Sequence, residues 1–331
     1  MAYETEEHET QYCFPAINSS CIKGKHSSYY HFMYMFFSLL SGGTVFLNLL
    51  VIVSISHFKK LHNPTNLLIL SLAVADLLVG LIVMPIEAIK LIETCWYFGD
   101  TLCRLFMLTM GMLLTTSLSN LVLIAVDRYV AVCHPLQYTQ KITMTRMLTS
   151  VCLGWLFSSA YNFAIVINIP HRIDACYGEC NIMLTFEWRV IDLIISFLFP
   201  CTIIITLHLR IFYVAHQQVK VINSLMTEKC IMEGTVKRKS ERKAALTLGI
   251  IVAIHLLCWI PYYILTLTES IAIAPTILYC LIWVLYVNSC LNPLIYALFY
   301  PWFRKSVKHI LTFRIFKPAS SRINIFTNHH I

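Results

Sequence analysis

The chain has 331 residues, enough for two soluble domains, but 58% are hydrophobic and only 13% charged, about half the charged share of a soluble protein. With a mean hydropathy of +0.69, this excludes an ordinary soluble protein and points to an all-α membrane protein. The net charge of +8 would suit a nucleic-acid binder only if it gathered on one soluble face; here 19 of the 25 Lys and Arg fall on alternate connections between apolar runs, so no nucleic-acid partner is expected.

Uncharged runs cover residues 26–58, 61–75, 77–86, 105–126, 147–171, 193–209, 244–268 and 270–303. Asp76 divides one span of about 64–90, so the pattern predicts seven spans of roughly 20 residues or more, with the termini on opposite sides. The basic connections are read as cytoplasmic and the N-terminus as extracellular, with the basic surplus facing lipid headgroups and a cytoplasmic partner.

Residues 1–29 read as an extracellular tail. It has no apolar signal-peptide core, so the first span is expected to start translocation itself. The tail carries Cys13, Cys21 and the glycosylation sequon Asn18-Ser19-Ser20. Cys95, Cys103, Cys176 and Cys180 also fall in predicted extracellular segments, where disulfides persist; six cysteines allow 15 connectivities, and the pattern alone chooses none.

Residues 30–300 are expected to form the seven-helix bundle. Ionisable groups at membrane depth are costly and mark function by default. Asp76 is mid-span and needs bound sodium, a proton or amides from other spans; Asn48, Ser117, Asn288 and Asn292 are mid-span polar residues able to supply oxygens. The plain alternative is a polar knot that joins helices. Asp127-Arg128-Tyr129 closes the third span at its cytoplasmic end, and Glu241 opens the sixth, so an Arg128–Glu241 salt bridge is expected to hold a resting state.

Asp192 lies roughly 7 Å below the outer end of the fifth span, the depth of a ligand pocket. A carboxylate there recruits a cation or a proton, unless it pairs with Arg189 one turn earlier. Trp259, Tyr262 and Tyr263 on the sixth span and Trp283 and Tyr286 on the seventh gather at comparable depth and suit cation-π contact with an ammonium group. Glu87, eleven residues or about 16 Å outward of Asp76, is a site for a second ammonium or else a partner of Lys90. Residues 301–314 alternate Trp302, Phe303, Val307, Ile310, Leu311 and Phe313 with Arg304, Lys305, Lys308 and Arg314, the pattern of an amphipathic helix in the inner interface. No cysteine follows Cys290, so a palmitoyl anchor is not expected there, and residues 315–331 read as a cytoplasmic tail.

Motifs on every span resemble the rhodopsin-like G-protein-coupled receptors: residues 43–48, Leu72-Ala73-Val74-Ala75-Asp76, Cys103 with Asp127-Arg128-Tyr129, Trp155, Pro200, Cys258-Trp259-Ile260-Pro261, and Asn292-Pro293-Leu294-Ile295-Tyr296. Cys103 and Arg128 are 25 residues apart, roughly 37 Å of helix, which reaches across the bilayer. More narrowly, Glu93-Thr94-Cys95-Trp96-Tyr97-Phe98-Gly99, Glu241-Arg242-Lys243-Ala244-Ala245 and Phe299-Tyr300-Pro301-Trp302-Phe303-Arg304-Lys305 resemble the trace amine-associated receptors. That resemblance implies a small amine ligand, mostly olfactory roles in sensory cilia of the plasma membrane, and a stimulatory, cAMP-raising G protein, with Asn292, Pro293 and Tyr296 as switch residues. It also implies the pairings Cys103–Cys180, Cys13–Cys176 and Cys21–Cys95.

One departure stands out. The family's amine-binding Asp, seven residues after the disulfide cysteine, is Met110 here, whereas Asp192 stands eight residues before Pro200, where a divergent olfactory branch carries its replacement acid. The resemblance therefore makes Asp192 the anchor and inverts the ligand. His208 and His255 stand where members carry an aromatic residue; either they keep a hydrogen bond and add pH sensitivity, or they are simply satisfied polar groups. A biogenic-amine or other small-ligand receptor of the same superfamily is the nearest alternative. A transporter or channel is the alternative of another class, disfavoured by seven spans without an inverted repeat. An enzyme is not expected, because no span offers paired His and carboxylate ligands at i, i+4 spacing, and no cofactor is expected beyond sodium at Asp76.

Overall fold

The computed structural model describes residues 11–24, 30–169, 176–180, 184–224, 249–250, 252–268, 275–318, 320–323 and 325. In hydrocarbon every backbone N–H and C=O must be satisfied within its own segment, so long apolar runs become helices. Six are long and apolar enough to cross a membrane: α1 (Tyr30–His57), α2 (Pro64–Glu93), α3 (Gly99–Cys133), α4 (Met144–Ile167), α5 (Phe186–Gln217) and, last in the chain, α7 (Pro275–Phe299). Between the last two lies α6 (Val252–Leu267), apolar and shorter within the described residues. The seven make one bundle, in which α3 packs on α2, α4 and α5 while α1 packs on α2 and α7.

Local chemistry sets the helix ends. Asn63 caps α2 by accepting from the Asn66 N–H at 2.9 Å, with Pro64 in the first turn. Thr94, in the left-handed region at φ 57°, ends the same helix. Pro301 starts α8 (Pro301–Leu311), which buries Trp302 and Phe303 against the bundle. Two helices carry a wide π turn: Val79–Val83 within α2 and Leu193–Leu198 within α5.

The bundle is apolar outside and polar within. Leu39, Phe46, Leu156, Phe199, Leu257 and Leu298 are exposed, whereas Asn48, Asp76, Asp127 and Ser158 are completely buried. That is the distribution for a protein whose outer solvent is lipid, where packing and interhelical hydrogen bonds hold the helices together. Gly111 permits the closest α3–α4 approach: a Cβ there would stand 2.1 Å from Asn162 Oδ1, while Asn162 Nδ2 donates across the crossing to Thr115 Oγ1 at 3.1 Å.

At one end of the bundle three disulfides bind the chain into a knot. Cys103 pairs with Cys180, tying α3 to the segment before α5. The other two pairings correct the expectation: Cys13 joins Cys95 and Cys21 joins Cys176, not Cys13 with Cys176 or Cys21 with Cys95. Backbone pairing gives the reason. Residues 12–22 double back, with the Cys13 N–H donating to Cys21 O at 2.8 Å, and a parallel bridge joins Ser20 to Tyr177. The Cys21 N–H then donates to Tyr177 O at 3.0 Å and the Tyr177 N–H to Ser19 O at 2.7 Å, which seats Cys21 beside Cys176 and leaves Cys13 facing Cys95. Asn18 is exposed in the same turn.

Candidate functional site

Asp192 is the last residue before the π turn of α5. Its Oδ1 accepts from Ser196 Oγ at 2.8 Å and Tyr161 OH at 3.0 Å, and its Oδ2 accepts from Tyr263 OH at 3.2 Å. Three helices thus converge on one carboxylate, and among the described residues no cationic side chain lies within the 4 Å of an ion pair. The alternative pairing with Arg189 is not made: Arg189 Nη1 donates to Thr266 O at 2.9 Å. Oδ1 already receives two donors and Oδ2 only one, so the acceptor capacity that remains is on the Tyr263 side.

The aromatic residues expected at this depth do assemble. Tyr263 stacks on Trp259 with ring centroids 5.9 Å apart and leans on Phe197 at 4.9 Å. Tyr262 stands edge-on to Trp259 at 6.3 Å. Tyr286 donates its hydroxyl to Met110 Sδ at 3.0 Å, so the α3 position expected to be empty of charge supplies a thioether to the same wall. Trp283 meets Tyr286 edge-on at 5.6 Å and stacks on Phe37 at 4.0 Å. Its indole N–H and that of Trp259 are buried without a hydrogen-bond partner.

Glu87 does pair with Lys90, Nζ to Oε1 at 3.2 Å. Lys90 also lines a cavity of about 560 Å³ beneath the disulfide knot, between α1, α2 and α7, with Phe37, Trp96, Cys180, Glu179 and Trp283. Through Trp283 this cavity borders the aromatic wall; Asp192 is not among its lining residues.

Deeper in the bundle, Asp76 Oδ2 accepts from Asn292 Nδ2 at 2.8 Å and Oδ1 from Ser117 Oγ at 3.2 Å. Asn48 Nδ2 donates to Ser289 O at 3.0 Å while its Oδ1 is buried with no partner. A carboxylate, a hydroxyl and an orphaned amide oxygen are hard ligands that fit a small cation such as sodium. Asn288 is turned elsewhere, to His255 Nδ1 at 3.2 Å, and His255 stacks on Trp259 at 5.4 Å. His208 instead donates Nδ1 to Ile204 O at 2.8 Å, a bond within its own helix.

At the end opposite the disulfides, Arg128 Nε donates to Asp127 Oδ2 at 2.9 Å and Nη2 to Thr65 Oγ1 at 2.8 Å. Thr65 and Tyr138 donate to the same carboxylate at 2.9 and 3.0 Å, so the fully buried Asp127 has donors on both oxygens. Tyr129 packs its ring on His134 at 5.6 Å, outside this network. Pro293 lies inside α7, and the Tyr296 hydroxyl is buried without a partner. Glu241 lies outside the described residues, so the proposed bond to Arg128 is not described.

Several of these partners escaped the reading of the sequence. Ser196, four residues from Asp192, carried a spacing signal. Tyr161, Thr65 and Tyr138 carried none, because they act across helices.

The arrangement has known relatives. The model of the seven-transmembrane receptors of the rhodopsin family matches residues 47–296. Trace amine-associated receptor 13c of Danio rerio is 41% identical, with 99% of this chain and all of that protein covered. Trace amine-associated receptor 9 of Rattus norvegicus is 40% identical over 95% of this chain and 97% of its own. Trace amine-associated receptor 1 of Macaca mulatta is 37% identical over 95% and 98%. The chain therefore belongs to the rhodopsin family of G-protein-coupled receptors and, within it, to the trace amine-associated receptors, which are receptors and not enzymes.

Proposed function

We propose that the protein is a plasma-membrane receptor for small amines, with residues 1–29 outside the cell and the Arg128 end presented to a heterotrimeric G protein of the stimulatory, cAMP-raising class. The observation that carries this reading is Asp192, a carboxylate held by three hydroxyls from α4, α5 and α6 with no cationic side chain beside it and spare acceptor capacity on Oδ2. An ammonium group supplies the missing charge and the missing donor. Tyr262 and Tyr263 supply aromatic faces next to it. Met110 cannot bind an ammonium ion, so the amine sits against α5 and α6 and its apolar portion reaches toward Tyr286 and Met110.

The route from ligand to G protein is a chain of contacts. An ammonium at Oδ2 shares that oxygen with the Tyr263 hydroxyl; Tyr263 stacks on Trp259, Trp259 on His255, and His255 bonds Asn288, one turn before the Asn292 that bonds Asp76. Asp76, Ser117 and Asn48 would hold a sodium ion, whose charge would favour the resting arrangement, and release of Arg128 from Asp127 exposes the G-protein contact. The sequon at Asn18 is glycosylated, α8 lies on inner-leaflet lipid, and the family points to olfactory cilia as the site of action.

The test is a cAMP measurement in cells that express the receptor, exposed to a panel of mono-, di- and polyamines. At least one amine raises cAMP at micromolar concentration. Silence toward the whole panel at millimolar concentration, with receptor verified at the surface, refutes the amine reading.

A further inference from the structure

Beside the cavity under the disulfide knot, one turn below its Lys90 lining, Glu87 is a second carboxylate whose occupant is already part of the chain. Its partner Lys90 lines the cavity together with Trp283, which meets Tyr286 edge-on, while Asp192 holds Tyr263, so one acid stands at each part of the aromatic wall. A diamine with one ammonium on Asp192 would direct its other along that wall toward Glu87. The place is taken. Lys90, one turn further along α2, sets its ammonium 3.2 Å from Glu87, with side chains only 11% and 2% exposed. Lys90 lines the 560 Å³ cavity with Trp283, which touches Tyr286, so its ammonium is bound at the edge of the space open to a ligand's far end.

We infer that Lys90 is a tethered second ammonium: it fills the acidic subsite at Glu87 and so restricts the pocket to ligands with one cation and an apolar or neutral far end. This rests on the reading of Asp192 as the amine anchor. A tethered ammonium is present at a high effective concentration, and a free one must both displace it and approach its like charge. Apart from Glu179 and Thr94, the far-end subsite is apolar and aromatic, with Phe37, Trp96 and Trp283 presenting surface that suits an alkyl or aryl group.

The experiment compares pentylamine, 1,5-diaminopentane and N-acetyl-1,5-diaminopentane by cAMP dose–response. In the unmodified receptor the diamine is at least tenfold weaker than pentylamine, and acetylating its second nitrogen restores potency. In Lys90→Gln the order inverts: the diamine gains at least tenfold relative to pentylamine. Glu87→Gln/Lys90→Gln, which removes both charges and leaves no lone buried acid, loses that gain. Lys90→Arg keeps the original order. If Lys90→Gln does not reach the surface, the acetylation comparison in the unmodified receptor decides. A diamine as potent as its acetylated form there, or an unchanged diamine-to-monoamine ratio in Lys90→Gln at the surface, overturns the inference while the amine reading stands. Absence of any amine response overturns both.

Discussion

Replacing Asp192 with Asn isolates the charge of the proposed anchor from its shape. The amide oxygen can still accept from Tyr161 and Ser196, now at 3.0 and 2.8 Å, and the amide nitrogen takes the place of Oδ2 opposite the Tyr263 oxygen, 3.2 Å away, which can accept as well as donate. The cage therefore survives, and what disappears is the ammonium–carboxylate pair. Removing one partner of a buried pair costs about 3–5 kcal/mol. Asp192 is only partly buried, which argues for the lower end. At about 1.4 kcal/mol per tenfold, Asp192→Asn weakens amine potency by at least about a hundredfold. The assay is a cAMP dose–response with surface receptor quantified by antibody on unpermeabilised cells, where surface level stays near that of the unmodified protein because a neutral amide is cheaper to bury than a carboxylate. Adding Met110→Asp to this background places an acid within reach of the Tyr286 hydroxyl, which now donates to Met110 Sδ at 3.0 Å, and restores a response with altered amine preference. If Asp192→Asn reaches the surface and answers its best amine at the original concentration, the anchor is elsewhere, and Glu87→Gln becomes the next variant to measure.

Peptide mapping of non-reduced receptor finds Cys13 joined to Cys95, Cys21 to Cys176 and Cys103 to Cys180; Cys13→Ser exposes a single new thiol, at Cys95, and recovery of Cys21 joined to Cys95 contradicts the described backbone pairing. Arg128→Ala abolishes G-protein coupling with surface expression retained, whereas Asp127→Asn, which takes the charge from the 2.9 Å bond to Arg128 Nε, raises basal cAMP several-fold; unchanged coupling in Arg128→Ala rejects the mechanism. Glu241→Ala raises basal signalling a few-fold at most, since a partly exposed pair contributes about 0–1 kcal/mol. Replacing sodium by N-methylglucamine increases agonist potency in the unmodified receptor and has no effect in Asp76→Asn; equal sensitivity of the two would remove sodium from the site.

The helices and the depth of each acidic residue were legible because lipid leaves the backbone few choices: a run of uncharged residues becomes a span, and a charge inside it is conspicuous. Asp192, Trp259, Tyr263 and Tyr286 could be placed at comparable depth by counting along helices; Asp192, Tyr263 and Trp259 do meet, and Tyr286 meets Met110. What counting cannot supply is azimuth, the direction in which a side chain leaves its helix. Tyr161 reads as one more aromatic residue on an apolar span, yet its hydroxyl turns inward to Asp192. Arg189 has the right spacing to reach the same carboxylate and bonds Thr266 O instead. Asn288 has the right depth for the Asp76 cluster and bonds His255. The disulfide pairing was illegible for a different reason. It depends on a backbone bridge between Ser20 and Tyr177, two residues 157 positions apart in segments that carry no hydrophobic periodicity.

The π turn in α5 has a consequence for how this chain is laid beside its relatives. Each residue of an α-helix advances about 100° around the axis, and a π turn accommodates one extra residue without lengthening the helix by a full step. The turn at Leu193–Leu198 falls wholly between Asp192 and Pro200. A regular helix threaded through the same stretch would carry every side chain on the N-terminal side of the turn about a quarter-revolution away from its place, aiming Asp192 off Tyr161 and Tyr263. Two sequences that align without a gap from Glu187 to Pro200 can therefore present different faces to the bundle interior. In this family the identity of the residue eight before the proline carries meaning only together with the winding between them.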